Sequence, residues 1–163
     1  MPPYQSSDVG LQPSVVDRLL DDDPDTSVEP PTTRGRTLQE LKAAVKRDLE
    51  NLLNARCDFL KVPDDLVNVK SSLLFFGLPD FGSYSLASTS SHDGLSKVVL
   101  RIVRQFEPRL TGVEVSVVPA SNPYDRSVHF RIDGLLRTDP SPEPVSFDTV
   151  LQRHNSSFEV SGG

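Results

Sequence analysis

Leu95, Val98, Val99, Ile102, Val103 and Phe106 recur at steps of three and four, which places them on one face of a helix. Pro108 disfavours helical geometry at Glu107, so the helix should stop there, with Asp93 as its N-terminal cap. Past the proline, Val113, Val115 and Val117 alternate with Glu114 and Ser116, the period-two pattern of a half-buried strand over 113–118. Glu107 and Arg109 therefore flank a stiff proline at the joint between two core elements. A carboxylate at a helix C-terminus faces the negative end of the macrodipole, at a cost of ~0.3–1 kcal/mol when exposed. Either a cation offsets this, from this chain or from another protein, or the carboxylate is solvated at a frayed helix end.

The same patterns divide the rest of the chain. Thr37-Leu38-Gln39-Glu40 is a capping-box signature, and it opens a helix in which Leu38, Leu41, Val45, Leu49 and Leu52 form the apolar stripe. That helix should end near Asn54, with Lys42, Lys46, Arg47 and Glu50 facing water. Pro63 interrupts any regular element beyond it. Between Ser72 and Gly82, the glycines and Pro79 deny the apolar run a long helix, which predicts a buried, irregular segment with a tight turn at Pro79-Asp80. Ser83 to Ser91 reads as a serine-rich loop.

Downstream, a turn cluster at Pro119–Pro123 leads to Val128, Phe130 and Ile132, an amphipathic strand antiparallel to the first. The Asp139–Pro144 stretch is a stiff loop, Val145, Phe147, Thr149 and Leu151 predict a third strand, and Ser157–Val160 a short fourth, paired to the third through Arg153–Ser156. Helices succeeded by a run of strands indicate an α+β domain, two main helices packed on a small, largely antiparallel sheet.

Ahead of this domain, residues 1–36 read as a flexible arm, and residues 37–163 as the folded unit. Inside the arm, Val15, Val16, Leu19 and Leu20 fall on one face of a short helix near 14–20 with Ser14 as cap. A helix so short is marginal alone and must dock, either on its own domain or, as we favour, in a partner's groove. Pro24, Pro30 and Pro31 punctuate the linker between this helix and the domain.

Composition narrows the function. Only 36% of residues are hydrophobic and 14 are proline, in keeping with an unpacked arm. Residues 1–36 hold seven acids and three bases, net −4, against sixteen and fourteen in the remainder, so the acidity is concentrated in the arm. A net charge of −6 without a basic stripe disfavours nucleic acid as a partner. A single cysteine, Cys57, excludes an intrachain disulfide. No signal-peptide pattern lies after Met1 and no apolar run approaches the ~18–20 residues of a membrane span, so a cytosolic chain without membrane insertion is expected.

Candidate chemistry is sparse. His92, His129 and His154 lack metal-ligand spacing, and no phosphate-binding glycine loop or nucleophile elbow is present, so neither metal nor cofactor is expected. Cys57 reads as a buried bystander. A glycosidase needs two carboxylates ~5–10 Å apart across a cleft, for which Glu107 with Asp80 or Glu114 is the available choice.

Four segments in order carry a resemblance: Ser14–Leu20, Phe76-Gly77-Leu78-Pro79-Asp80-Phe81, Phe106-Glu107-Pro108-Arg109-Leu110 and Val145-Ser146-Phe147-Asp148. Together, over roughly residues 13–160, the chain resembles the TssE family, baseplate subunits of bacterial type VI secretion systems. These are similar to the wedge protein of contractile phage tails, long labelled lysozyme-like. The resemblance implies a structural, non-enzymatic role at a cytoplasmic baseplate docked on the inner-membrane complex, within a large hetero-oligomer. It implies wedge partners (TssF, TssG, TssK) and sheath partners (TssB, TssC), with Glu107, Pro108 and Arg109 at the sheath joint. The arm residues Val15, Val16, Arg18, Leu19 and Leu20 would dock on the wedge. The family label also keeps a peptidoglycan-cleaving muramidase as the alternative. Arg109, taken as a surface charge, should tolerate replacement by glutamate without loss of the fold.

Overall fold

The leucine stripe after the arm becomes α1 (Arg34–Asn54), whose Leu41, Val45, Leu49, Leu52 and Leu53 are buried. A computed structural model of the chain describes residues 17, 19, 34–57, 62, 63, 65–79, 89–119, 127–152 and 157–163. Within these, α1 is succeeded by one helical turn, α2 (Val67–Lys70), a 3₁₀ turn at Leu73–Phe75, and the long helix α3 (Thr89–Phe106). Four strands complete the chain: β1 (Leu110–Val118), β2 (Val128–Leu136), β3 (Glu143–Gln152) and β4 (Ser157–Gly162). They form an antiparallel meander in the order β1-β2-β3-β4. The α+β architecture expected from the sequence is what folds.

One face of the sheet carries Val113, Phe130, Ile132, Val145, Phe147, Leu151, Phe158 and Val160, all buried. Both long helices cover that face, α1 against β4 and α3 against β1, and they touch each other between. The opposite face presents Glu114, Arg131, Asp148 and Glu159 to solvent, as period-two alternation requires. Thr149 is a polar residue on the buried face of the sheet. It is 1% exposed and its hydroxyl has no hydrogen-bond partner among the described residues. Thr149→Val should therefore raise stability by ~1 kcal/mol, seen as a higher urea midpoint at unchanged slope.

Several boundaries differ from the sequence-based expectation. α1 starts at Arg34, so Thr37 lies one turn inside the helix and is buried rather than capping it. α3 starts at Thr89, so Asp93 is an exposed helical residue, its carbonyl accepting from Ser96 Oγ at 3.0 Å. Once a nucleus exists each added residue gains a backbone hydrogen bond, and helices run past an internal capping signal. β1 begins at Leu110 rather than Val113. A bulge between Thr111 and Glu114, with Gly112 at φ 61°, shifts the alternation so that Leu110 and Val113 both face the core.

The Ser72–Gly82 stretch is buried only in part. Leu73 and Leu74 are 81% and 60% exposed on the 3₁₀ turn, whereas Gly77, Leu78 and Pro79 are buried. Cys57 N donates to Leu78 O and Leu78 N to Ala55 O, both at 2.9 Å, stapling this segment to the end of α1. The Asp80 half of the expected turn, residues 83–88 of the serine-rich loop, residues 120–123 and Arg153–Ser156 lie outside the described residues. So do Val15, Val16, Arg18 and Leu20.

Candidate interaction site at the helix–strand joint

α3 ends where the proline requires. Glu107 N donates to Val103 O at 2.8 Å, closing the last helical turn, and Leu110 N donates back to Glu107 O at 3.1 Å. The turn between them leaves Pro108 exposed and Glu107 4% exposed. Arg109 O then accepts from Arg137 N at 2.8 Å, which ties the joint to the chain just beyond β2.

Two residues apart on a tight turn, the two side chains meet. Arg109 Nε donates to Glu107 Oε1 and Arg109 Nη2 to Oε2, each at 2.5 Å, a two-pronged fork. The cation that offsets the carboxylate at this helix end thus comes from the same chain, and Glu107 is not a solvated group at a frayed end. Arg109 Nη2 also reaches Asp48 Oδ2 on α1 at 2.6 Å. Asp48 Oδ1 accepts from Arg47 Nε and Nη2 at 3.3 and 3.1 Å, and Arg47 Nη2 donates to Asp17 Oδ1 at 2.6 Å. A chain of alternating charge therefore runs Glu107–Arg109–Asp48–Arg47–Asp17, joining the turn, α1 and the arm.

The hydrogen bonds it donates to Glu107, and next to Asp48, hold the Arg109 guanidinium above its ordinary value against the opposing effect of burial. Asp17 and then Asp48 do the same for Arg47. Both arginines stay cationic across the pH range in which proteins fold.

Beside the fork lies an open groove of about 400 Å³, with Leu52, Phe76, Phe106 and Pro108 as its apolar lining and Asn51 beside the charged groups. Phe76 and Phe106 meet edge to face with centroids 5.3 Å apart, so the stapled segment and the end of α3 shape it together.

Strand edges flank the joint, and hydrogen-bond parity decides which backbone groups they offer. Gly163 N donates to Ser146 O at 3.1 Å, so odd-numbered residues of β4 face β3. Carried across the registers, this points Val113, Val115 and Val117 of β1 outward. Arg104 Nη2 occupies Val113 O at 2.7 Å, leaving the outward groups of Val115 and Val117 unpaired among the described residues. On the other edge, Asn54 seals β4 at Phe158, accepting from its N–H at 2.8 Å and donating to its carbonyl at 2.9 Å.

Of the residues singled out from sequence, the structure brings Glu107, Pro108 and Arg109 together. Asp17 and Leu19 are helical, Asp17 paired to Arg47 and Leu19 78% exposed. Sequence reasoning missed Asp48, 61 residues from Arg109, and read Arg47 as a solvated charge. No spacing signals a contact over that separation. The premise that Arg109 is an unengaged surface charge is corrected, because it pairs with a carboxylate that is 4% exposed.

Residues 39–141 match the family model of the baseplate wedge protein gp25. The chain belongs to that family. The match runs from the first turns of α1 through the loop after β2 and includes the Glu107–Arg109 turn. A comparison with curated proteins finds no match. Membership of the gp25 family makes this a structural component of a phage-tail-like baseplate, associated with other baseplate and tail components. Among the described residues, no helix is long and apolar enough to cross a membrane.

Proposed function

We propose that this gp25-family protein is the TssE-like subunit of a type VI secretion baseplate, where it joins the wedge and starts polymerisation of the contractile sheath. The observation that carries this reading is the unpaired outer edge of β1 at Val115 and Val117, beginning a few residues past a joint made rigid by the Glu107–Arg109 fork. An extended segment of a sheath subunit adds there as a fifth strand, backbone bonds supplying affinity and the joint fixing register. A head-to-tail addition of this kind propagates an open helix, as a sheath requires. On this reading TssB and TssC are the sheath partners. The wedge partners are TssF, TssG and TssK, which the arm engages through Val15, Val16, Arg18, Leu19 and Leu20. The protein acts at a cytoplasmic baseplate docked on the inner-membrane complex.

The muramidase alternative finds no support in the geometry. Both Glu107 oxygens are taken by Arg109 and the residue is 4% exposed, so a glycosidic oxygen reaches it only after the fork breaks. Glu114 lies on the opposite, solvent-facing side of the sheet.

Val117→Pro tests the edge directly. Its N–H points outward, so proline removes no bond within the sheet and fits an edge strand, and the fold should lose no more than ~1–2 kcal/mol. Fluorescent sheath should fail to assemble in cells carrying it at normal abundance. Sheath of normal length and frequency in such cells would count against strand addition on β1.

A further inference from the structure

We propose that the N-terminal arm is latched in cis onto α1 of its own domain through the Asp17–Arg47 pair, so that any partner taking the arm must first displace this contact. The inference goes beyond the baseplate reading and stands on the charge network alone. Asp17 Oδ1 lies 2.6 Å from Arg47 Nη2, and the Asp17 side chain is only 12% exposed, too enclosed for a carboxylate trailing in solvent. The residue is helical, as is Leu19. The connection is long enough. Arg34 and Arg47 are thirteen residues apart on α1, ~20 Å, within the ~55 Å that the seventeen residues from Asp17 to Arg34 can span.

Chemistry defines what the surface accepts. Arg47 is shared between Asp17 and Asp48, and Asp48 is shared between Arg47 and Arg109. Arg47 thus keeps a donor for an arm carboxylate beyond those it gives Asp48, and Asp17 takes it. Leu19 is 78% exposed, so the latch at Asp17 leaves an apolar residue presented to solvent.

The test uses the full chain and backbone ¹⁵N relaxation at Asp17 and Leu19. In the native protein both amides should have order parameters near ~0.85, and in Asp17→Asn and in Arg47→Glu they should fall below ~0.6. The double exchange Asp17→Arg with Arg47→Glu should restore the rigid value. Asp17→Asn leaves Asp48, Arg109 and Glu107 untouched, and an unchanged Arg109 Nε–H resonance confirms that the domain remains folded. Amides already mobile in the native protein overturn the latch. So do amides equally rigid in both single variants, or a double exchange that leaves them mobile.

Discussion

Arg109→Glu will destabilise the protein by ~3–5 kcal/mol, a large share of the stability of a domain this size. The substitution leaves Glu107 4% exposed without its guanidinium and sets a second carboxylate against both it and Asp48. Removing one member of an enclosed ion pair strands the other, and the desolvation it has already undergone is no longer offset. Arg109→Lys should fall between, because an ammonium keeps the charge and loses the two-pronged geometry. Urea denaturation of the purified variants measures the order. A double-mutant cycle with Glu107→Gln and Arg109→Met should give a coupling of ~2 kcal/mol or more, whereas a cycle near zero would show the fork to be incidental. The result governs how sheath assays are read. Loss of sheath in Arg109→Glu reports a weakened fold before it reports a lost interface, which is why an edge variant such as Val117→Pro is the cleaner probe.

Gly77→Ala should be nearly as severe, ~3 kcal/mol or more. Gly77 sits at φ +105°, and a Cβ there would lie 2.5 Å from Ala55 O, a backbone atom that cannot swing aside. Relief requires the segment to leave the end of α1, breaking the Cys57–Leu78 and Leu78–Ala55 bonds and exposing Leu78, which is fully buried. Cys57 reports this directly. It is the single cysteine of the chain and 7% exposed, with Sγ 3.3 Å from Leu74 O. Its reaction with a thiol reagent in native buffer should accelerate at least tenfold in Gly77→Ala, by analogy with a local opening made ~1.4 kcal/mol easier. An unchanged rate together with an unchanged urea midpoint would mean the backbone accommodates alanine.

Features legible in the chain are those that depend on near neighbours. The stripe Leu95–Phe106 and the stop at Pro108 locate the end of α3 to the residue, because a proline's steric clash is local. The alternation at Val128–Ile132 and Val145–Leu151 yields two strands and their buried faces, because side-chain period follows from backbone geometry. Where a single residue alters the period, the pattern misleads. Gly112 inserts a bulge, and Leu110, out of phase with Val113, carries no signal of belonging to the same strand. Leu73 and Leu74 read as core from their composition, but a 3₁₀ turn capped by Ser72 turns them to solvent.

The order of residues is enough for the α+β class, for the helix–strand joint and for an acid and a base two residues apart within it. It does not reveal that Glu107 is buried, that Arg109 forks onto it, or that Asp48 and Arg47 extend the pair to Asp17; these arise in the folded chain. So does the contrast between edges that Arg104 and Asn54 partly seal and the open groups of Val115 and Val117. Local patterns record which faces are apolar. Charge pairing and edge protection depend instead on which distant side chains the packing of α1, α3 and the sheet brings within ~3 Å of one another.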